Sequence, residues 1–284
     1  MPLELFEDAM GDPRNARFLA VASDLAYCAQ AEGGPLFKEK LGLDATLFSV
    51  GNTQAYVAQN DNHIVVAFRG TESPTSIDGL KDWLLTNAAN LLIVPEGRMG
   101  TDFAAAGVGA RFHQGFVLAI TDIWEPVYQA VDAARKQSDR PIWITGHSLG
   151  GALAMLAAWL FNRRFVPIHQ IYTFGAPMIG NEAAAAAFNK AFGAKIFRYV
   201  NTLDPIPCLP TVSLDTNDYA HCEKEVPLGV AQAAASGLAF VKELAGTVVS
   251  GILNATLIDD IWKGVMGRLS AHGMNTYQEH IDKT

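Results

Sequence analysis

Short apolar runs alternate along this chain with longer amphipathic stretches, and the two periods predict strands separated by helices. Residues 13–31 place Phe18, Val21, Leu25 and Cys28 at helical spacing, and Gly33-Gly34-Pro35 is expected to stop that helix. Residues 47–50, 54–58 and 64–68 read as strands, with Asn60-Asp61-Asn62 as the turn of a hairpin. Residues 73–94 read as a loop, a short helix over 79–87 and an apolar exit. Four glycines and four alanines within residues 97–110 predict a mobile loop. An amphipathic helix follows His113-Gln-Gly-Phe116 to about residue 137, with Pro126 as a kink. Residues 141–145 predict a buried strand, 151–160 a buried helix, 168–174 a strand, 182–192 a helix and 195–200 a strand. This succession predicts βαβ units and a largely parallel sheet with helices on both faces, edged by the antiparallel hairpin. With no repeat and no linker, the chain reads as a single domain over residues 1–284, carrying an apolar helical insertion at 226–266.

At 284 residues and half apolar, the chain can bury a large core, and its mean hydropathy is slightly positive. Twenty-nine acidic against 21 basic residues give a net charge of −8, and no basic stripe is present, so nucleic acid is not an expected partner. The cysteines, Cys28, Cys208 and Cys222, lack any metal-ligand spacing, so neither a metal nor another cofactor is expected. They are expected as free thiols, although Cys208 and Cys222 could pair in an oxidising compartment. The acidic opening residues lack the apolar core of a signal peptide, which predicts a cytoplasmic protein, with a trimmed leader or secretion by another route as the alternatives. No run reaches the length of a membrane span; the nearest, residues 244–258, is interrupted by Gly and polar residues.

Chemistry enters at Gly146-His147-Ser148-Leu149-Gly150, set between the strand at 141–145 and the helix at 151–160. A G-x-S-x-G segment on such a strand-to-helix turn holds a serine hydroxyl above the sheet and behind it a helix N-terminus that favours negative charge. Ser148 is therefore the candidate nucleophile. A neutral hydroxyl needs a base and an acid that orients the base, in the chain order Ser, Asp/Glu, His. Asp204 follows the strand at 195–200 and is stiffened by Pro205, which makes it the candidate acid. Three histidines come after it: His272, whose small neighbours leave the backbone free to loop back, and the alternatives His221 and His280. A tetrahedral intermediate also requires two donors for its oxyanion. The backbone N–H of Leu149 is one candidate, and the Phe68-Arg69-Gly70-Thr71 loop offers Thr71 as the other. His147 is expected to point away from the hydroxyl, in a packed role at the edge of the substrate site.

These motifs resemble the class 3 (fungal-type) lipases of the α/β-hydrolase fold. The resemblance rests on Phe68-Arg-Gly-Thr71, Asp82-Trp83, His113-x-Gly-Phe116, Gly146-His-Ser-Leu-Gly-Gly151, Thr173-Phe-Gly-Ala-Pro177, Gly180-Asn181 and Asn201-x-x-Asp204-x-x-Pro207-x-Leu-Pro210. All occur in the family's order over about residues 60–210, and a histidine shortly before a tyrosine recurs here as His272 and Tyr277. The resemblance implies a Ser148-Asp204-His272 triad with Thr71 and Leu149 as the oxyanion hole. The chain departs from the family in lacking the usual leader and evident paired cysteines, and in the stretch at 226–266.

By the same resemblance the function is that of a serine carboxylic ester hydrolase, a lipase or esterase forming an acyl-enzyme without a cofactor. Its partner would be an ester or lipid substrate, taken up where lipid meets water. Phospholipase A1, feruloyl esterase and polyester hydrolase are the enzymatic alternatives, and a lipid-binding protein without activity is the non-enzymatic one. Residues 73–90 form a candidate lid, with Ile77, Leu80, Trp83, Leu84 and Leu85 on its apolar side and Trp83 and Leu84 against the substrate. Oligomeric state is left open by the sequence.

Overall fold

A computed structural model describes residues 2–71, 92–209, 219–229, 262–264 and 266–284. Its strands, in chain order, are β1 (Asp44–Val50), β2 (Thr53–Gln59), β3 (Ile64–Phe68), β4 (Leu92–Ile93), β5 (Phe112–His113) and β6 (Ile142–His147). They continue with β7 (Gln170–Phe174), β8 (Gly180–Asn181), β9 (Ile196–Asn201), β10 (Tyr219–Ala220) and β11 (Glu225–Leu228). The helices are α1 (Pro13–Leu25), α2 (Gln30–Leu41), α3 (Gly100–Ala104), α4 (Gln114–Gln137), α5 (Leu149–Arg163), α6 (Glu182–Phe192) and α7 (Met274–Ile281).

The main sheet runs β1-β2-β3-β6-β7-β9-β11. Its first two pairings are antiparallel and the other four are parallel. Successive side chains on a strand point to opposite faces, and here both faces are covered. Ile64, Val66 and Phe68 of β3 join one core with Ile144 and residues of α4, α5 and α6. Val65 and Ala67 join Trp143, Tyr172 and Phe197 in a second core under α1, α2 and α7. That double burial is why β3, β6 and β7 read as continuous apolar runs. A smaller antiparallel sheet, β10-β8-β5-β4, lies beside the carboxyl ends of the parallel strands through the β8 and β5 connections.

Three expectations fail, each for a packing reason. Gly33-Gly34-Pro35 lies inside α2, and the chain breaks instead at residues 26–29. Gly33 is buried where any Cβ would collide with the Tyr56 phenol, so close approach to β2 outweighs the breaker signal. The expected mobile loop holds a 3-10 turn and α3, anchored by the buried Met99 and Phe103. The Trp159 Nε1–H also donates to the Asp102 carbonyl at 2.8 Å. Finally, Val226–Leu228, expected to open a helical insertion, belongs to β11, which pairs in parallel with β9. Most of that insertion, residues 230–261, lies outside the described residues. Among the described residues no helix is long and apolar enough to cross a membrane, and all three cysteines are free.

Candidate active site

β6 ends at His147, α5 starts at Leu149, and Ser148 alone makes the turn between them. Its φ of 57° and ψ of −131° are strained for a residue with a Cβ. The strain is held by neighbouring structure: the Ser148 N–H donates to the Phe174 carbonyl of β7 at 2.9 Å. Ser148 occupies the N-cap position, yet its hydroxyl makes no capping hydrogen bond. On the next turn Gly150 passes so close to β3 that an added Cβ would lie 2.7 Å from the Arg69 carbonyl carbon. This contact locks the start of α5 to the loop carrying Gly70 and Thr71. A Cβ on Gly70 would in turn lie 3.2 Å from that of Ser148.

Asp204 follows β9 and is buried. Its Oδ1 accepts from the Ile206 N–H at 2.9 Å, and its Oδ2 faces His272 Nδ1 at 2.7 Å. The Tyr277 O–H, from the first turns of α7, donates to the same Oδ2 at 2.6 Å. The Tyr277 oxygen also accepts from the Asn201 N–H at 3.1 Å, and the Asn201 side-chain amide donates to the Ala271 carbonyl at 2.8 Å. Burial and the adjacent carboxylate push the Tyr277 hydroxyl well above its usual pKa, so it stays a donor. Gly175, at φ 60°, makes room for the cluster: a Cβ there would lie 2.7 Å from Asp204 Oδ2 and 3.0 Å from His272 Nδ1. The opposite edge of the imidazole, His272 Nε2, is buried without a hydrogen-bond partner among the described residues.

Of the three histidines, the structure pairs His272 with Asp204. His221 is turned toward the Pro207 carbonyl, 2.5 Å from its Nε2. Burial, followed by nearby Arg198, pushes His221 down to about 3. His280 lies on α7 beside Gly229. His147 is buried, its Nδ1 2.9 Å from the Tyr27 hydroxyl and its Nε2 2.6 Å from the His272 carbonyl. Thr71 is the last described residue of its loop, and its Oγ1 is buried without a partner among the described residues. Trp83, Leu84 and the rest of the candidate lid at 73–90 lie outside the described residues. Tyr27 drew no functional expectation, because nothing local marks it: its partner is 120 residues away in sequence. Two of the motifs turn out to be helix caps. His113 Nδ1 accepts from the Phe116 N–H, and the Asn181 side chain from the Ala184 N–H.

The family model for lipase (class 3) matches residues 65–214, just over half of the chain. The chain belongs to the class 3 lipase family. It is 30% identical to a chloroplastic phospholipase A(1) of Arabidopsis thaliana over 167 residues, which are 55% of this chain and 35% of the relative. It is 28% identical to a secreted mono- and diacylglycerol lipase of Malassezia globosa over 192 residues, 65% of this chain and 60% of the relative. The chain thus spans from about a third to three fifths of the length of those relatives. Among solved structures it resembles the Lip2 lipase of Yarrowia lipolytica, with a TM-score of 0.63, 20% identity, and 75% and 78% of the two chains covered. The mostly parallel sheet between two helical layers is that of the α/β-hydrolase fold.

The comparisons correct the cytoplasmic expectation: the matched mono- and diacylglycerol lipases of Malassezia globosa, Malassezia restricta and Gibberella zeae are named as secreted. That expectation leaned on the acidic opening residues, which pack on the fold. Leu3 N–H donates to the Lys40 carbonyl at 2.8 Å, and Leu5 is buried.

Proposed function

We propose that this chain is one catalytic unit that hydrolyses carboxylic esters of apolar acyl groups, acylglycerols first among them, through a serine acyl-enzyme. In this reading Ser148 attacks the ester carbonyl while His272 Nε2 takes its proton, and the same imidazole then protonates the leaving alcohol. Asp204 accepts the Nδ1 proton and stabilises the imidazolium. Water regenerates the serine in the second half-reaction. The backbone N–H groups of Leu149 and Thr71 receive the oxyanion, the first at the start of a helix whose dipole favours that charge.

The observation that carries the reading is the buried 2.7 Å contact between His272 Nδ1 and Asp204 Oδ2, with Nε2 unpaired among the described residues. The strained Ser148 beside Gly70 supports the same reading, since strain without a capping role has no structural benefit. The relatives named mono- and diacylglycerol lipases support acylglycerols, and the one named phospholipase A(1) puts diacyl phospholipids second.

A fluorophosphonate probe should label wild type and leave Ser148→Ala unlabelled. In parallel, release of fatty acid from a diacylglycerol, a triacylglycerol and phosphatidylcholine should rank in that order and vanish in the variant. An unlabelled wild type that binds lipid without cleaving any of the three would support the non-enzymatic alternative and end this proposal.

A further inference from the structure

We infer that Tyr27 and His147 form a hydrogen-bonded strut that fixes the Gly70–Thr71 loop against the backbone of His272, and that both are positioning residues for ester hydrolysis. The inference rests on the proposed roles of Ser148, Asp204 and His272. Tyr27 follows the last turn of α1, and its hydroxyl reaches two separate parts of the site. The Tyr27 hydroxyl is seated directly against Gly70, where an added Cβ would collide with it. The Tyr27 oxygen is also 2.9 Å from His147 Nδ1, and His147 Nε2 is 2.6 Å from the His272 carbonyl.

The protons along this path have one consistent arrangement. The His272 carbonyl can only accept, so Nε2 carries the proton of His147 and the Nδ1 of the neutral ring accepts from the Tyr27 O–H. Both groups stay neutral: burial pushes Tyr27 up, and burial with the neighbouring His272 pushes His147 well below its usual value. The resulting path runs from the Tyr27 hydroxyl, seated against Gly70, through His147 to His272 O, with both donors pointing the same way.

Its consequence is geometric. Asp204 and Tyr277 orient the His272 ring, but they do not set where its backbone sits relative to the oxyanion loop. The strut does, because its ends are the residue before Thr71 and the main chain of His272. The two imidazoles also pack with centroids 4.5 Å apart, so a shift of His147 moves His272 directly. A displacement of the base by an ångström is enough to slow proton transfer while leaving substrate binding intact.

The test uses Tyr27→Phe, His147→Phe, their double variant, His147→Gln and His147→Asn. Each is assayed on the water-soluble ester p-nitrophenyl butyrate, with competent sites counted by fluorophosphonate titration. The expected result is a kcat per site lowered by about tenfold in each phenylalanine variant with KM changed less than about twofold, and no further loss in the double. His147→Gln, whose amide can still reach the His272 carbonyl, should recover most of the loss. His147→Asn, too short to reach it, should not. Where the phenylalanine variants do not fold, the Gln–Asn pair decides alone. Losses that multiply in the double variant, equal behaviour of Gln and Asn, or a wild-type kcat in both phenylalanine variants would overturn the strut. A wild type without esterase activity or label would instead overturn the catalytic reading beneath it.

Discussion

The Tyr277 hydroxyl donates to Asp204 at 2.6 Å, on the same carboxylate oxygen that faces His272. One oxygen therefore holds two donors, and each limits where the other can sit. Removing the phenol O–H leaves the carboxylate freer to swing. Tyr277→Phe is expected to lower kcat by about tenfold and to cost about 1–2 kcal/mol of stability as a charge-assisted bond is lost from a buried site. Steady-state kinetics and urea unfolding would check the two effects separately.

The strain at Ser148 makes a prediction of the opposite sign for stability. Glycine tolerates φ 57° where serine does not. Ser148→Gly should abolish turnover and raise unfolding free energy by about 1–3 kcal/mol. A variant no more stable than wild type in urea titration would show that the turn stores no strain.

Gly175→Ala should do damage out of proportion to one methyl group. The new Cβ would press on Asp204, Tyr277 and His272 at once, and it would occupy φ 60°. Activity is expected to fall about a hundredfold or more, against a small change for Gly193→Ala, whose Cβ meets nothing although its φ is also positive. Comparing the two separates crowding of the cluster from backbone strain.

Acid should unfold this protein through its buried imidazoles. His221 is pushed down to about 3 in the folded state, so between there and the ordinary histidine value of about 6.5 the unfolded chain binds the extra proton. Stability therefore falls as pH drops through that window, and His147 adds to the slope in the same direction. His221→Gln, which keeps a donor for the Pro207 carbonyl, should flatten the dependence of the urea midpoint between pH 7 and pH 4. An unchanged slope would remove His221 from the account.

The core responds as a packed solid. Trp124 is fully buried, with its ring centroid 4.8 Å from that of Phe161 on α5. Trp124→Ala is expected to cost about 3–5 kcal/mol, read by chemical unfolding.

The strands and long helices were legible because burial on both sheet faces leaves uninterrupted apolar runs, as in β3 and β6, and because α4 and α6 carry their own caps at His113 and Asn181. The turn at Ser148 was legible because Gly146 is demanded locally, by the Gly150 carbonyl, and because the pattern sits between an apolar strand and an apolar helix. What could not be read was anything decided across the fold. Gly33 looks like a stop signal until Tyr56 is placed against it. Val226–Leu228 look helical until β9 offers an open edge. Sequence left three histidines after Asp204, and the pairing with His272 emerges only when the chain closes over 68 residues. Tyr27 carries no mark at all, since its hydroxyl meets groups supplied by β6 and the loop after β3.

The 68-residue gap between the members of the carboxylate–imidazole pair has a bearing on biosynthesis. Chains emerge from the ribosome N-terminal part first, at about 5–20 residues per second. The turn bearing Ser148 and the strands beside it are therefore translated well before His272 and Tyr277 exist. On the mechanism proposed above, the hydroxyl has no proton acceptor during that interval, so a nascent chain meeting lipid beside the ribosome leaves it uncleaved. In that reading the proposed activity arrives only once His272 has joined Asp204.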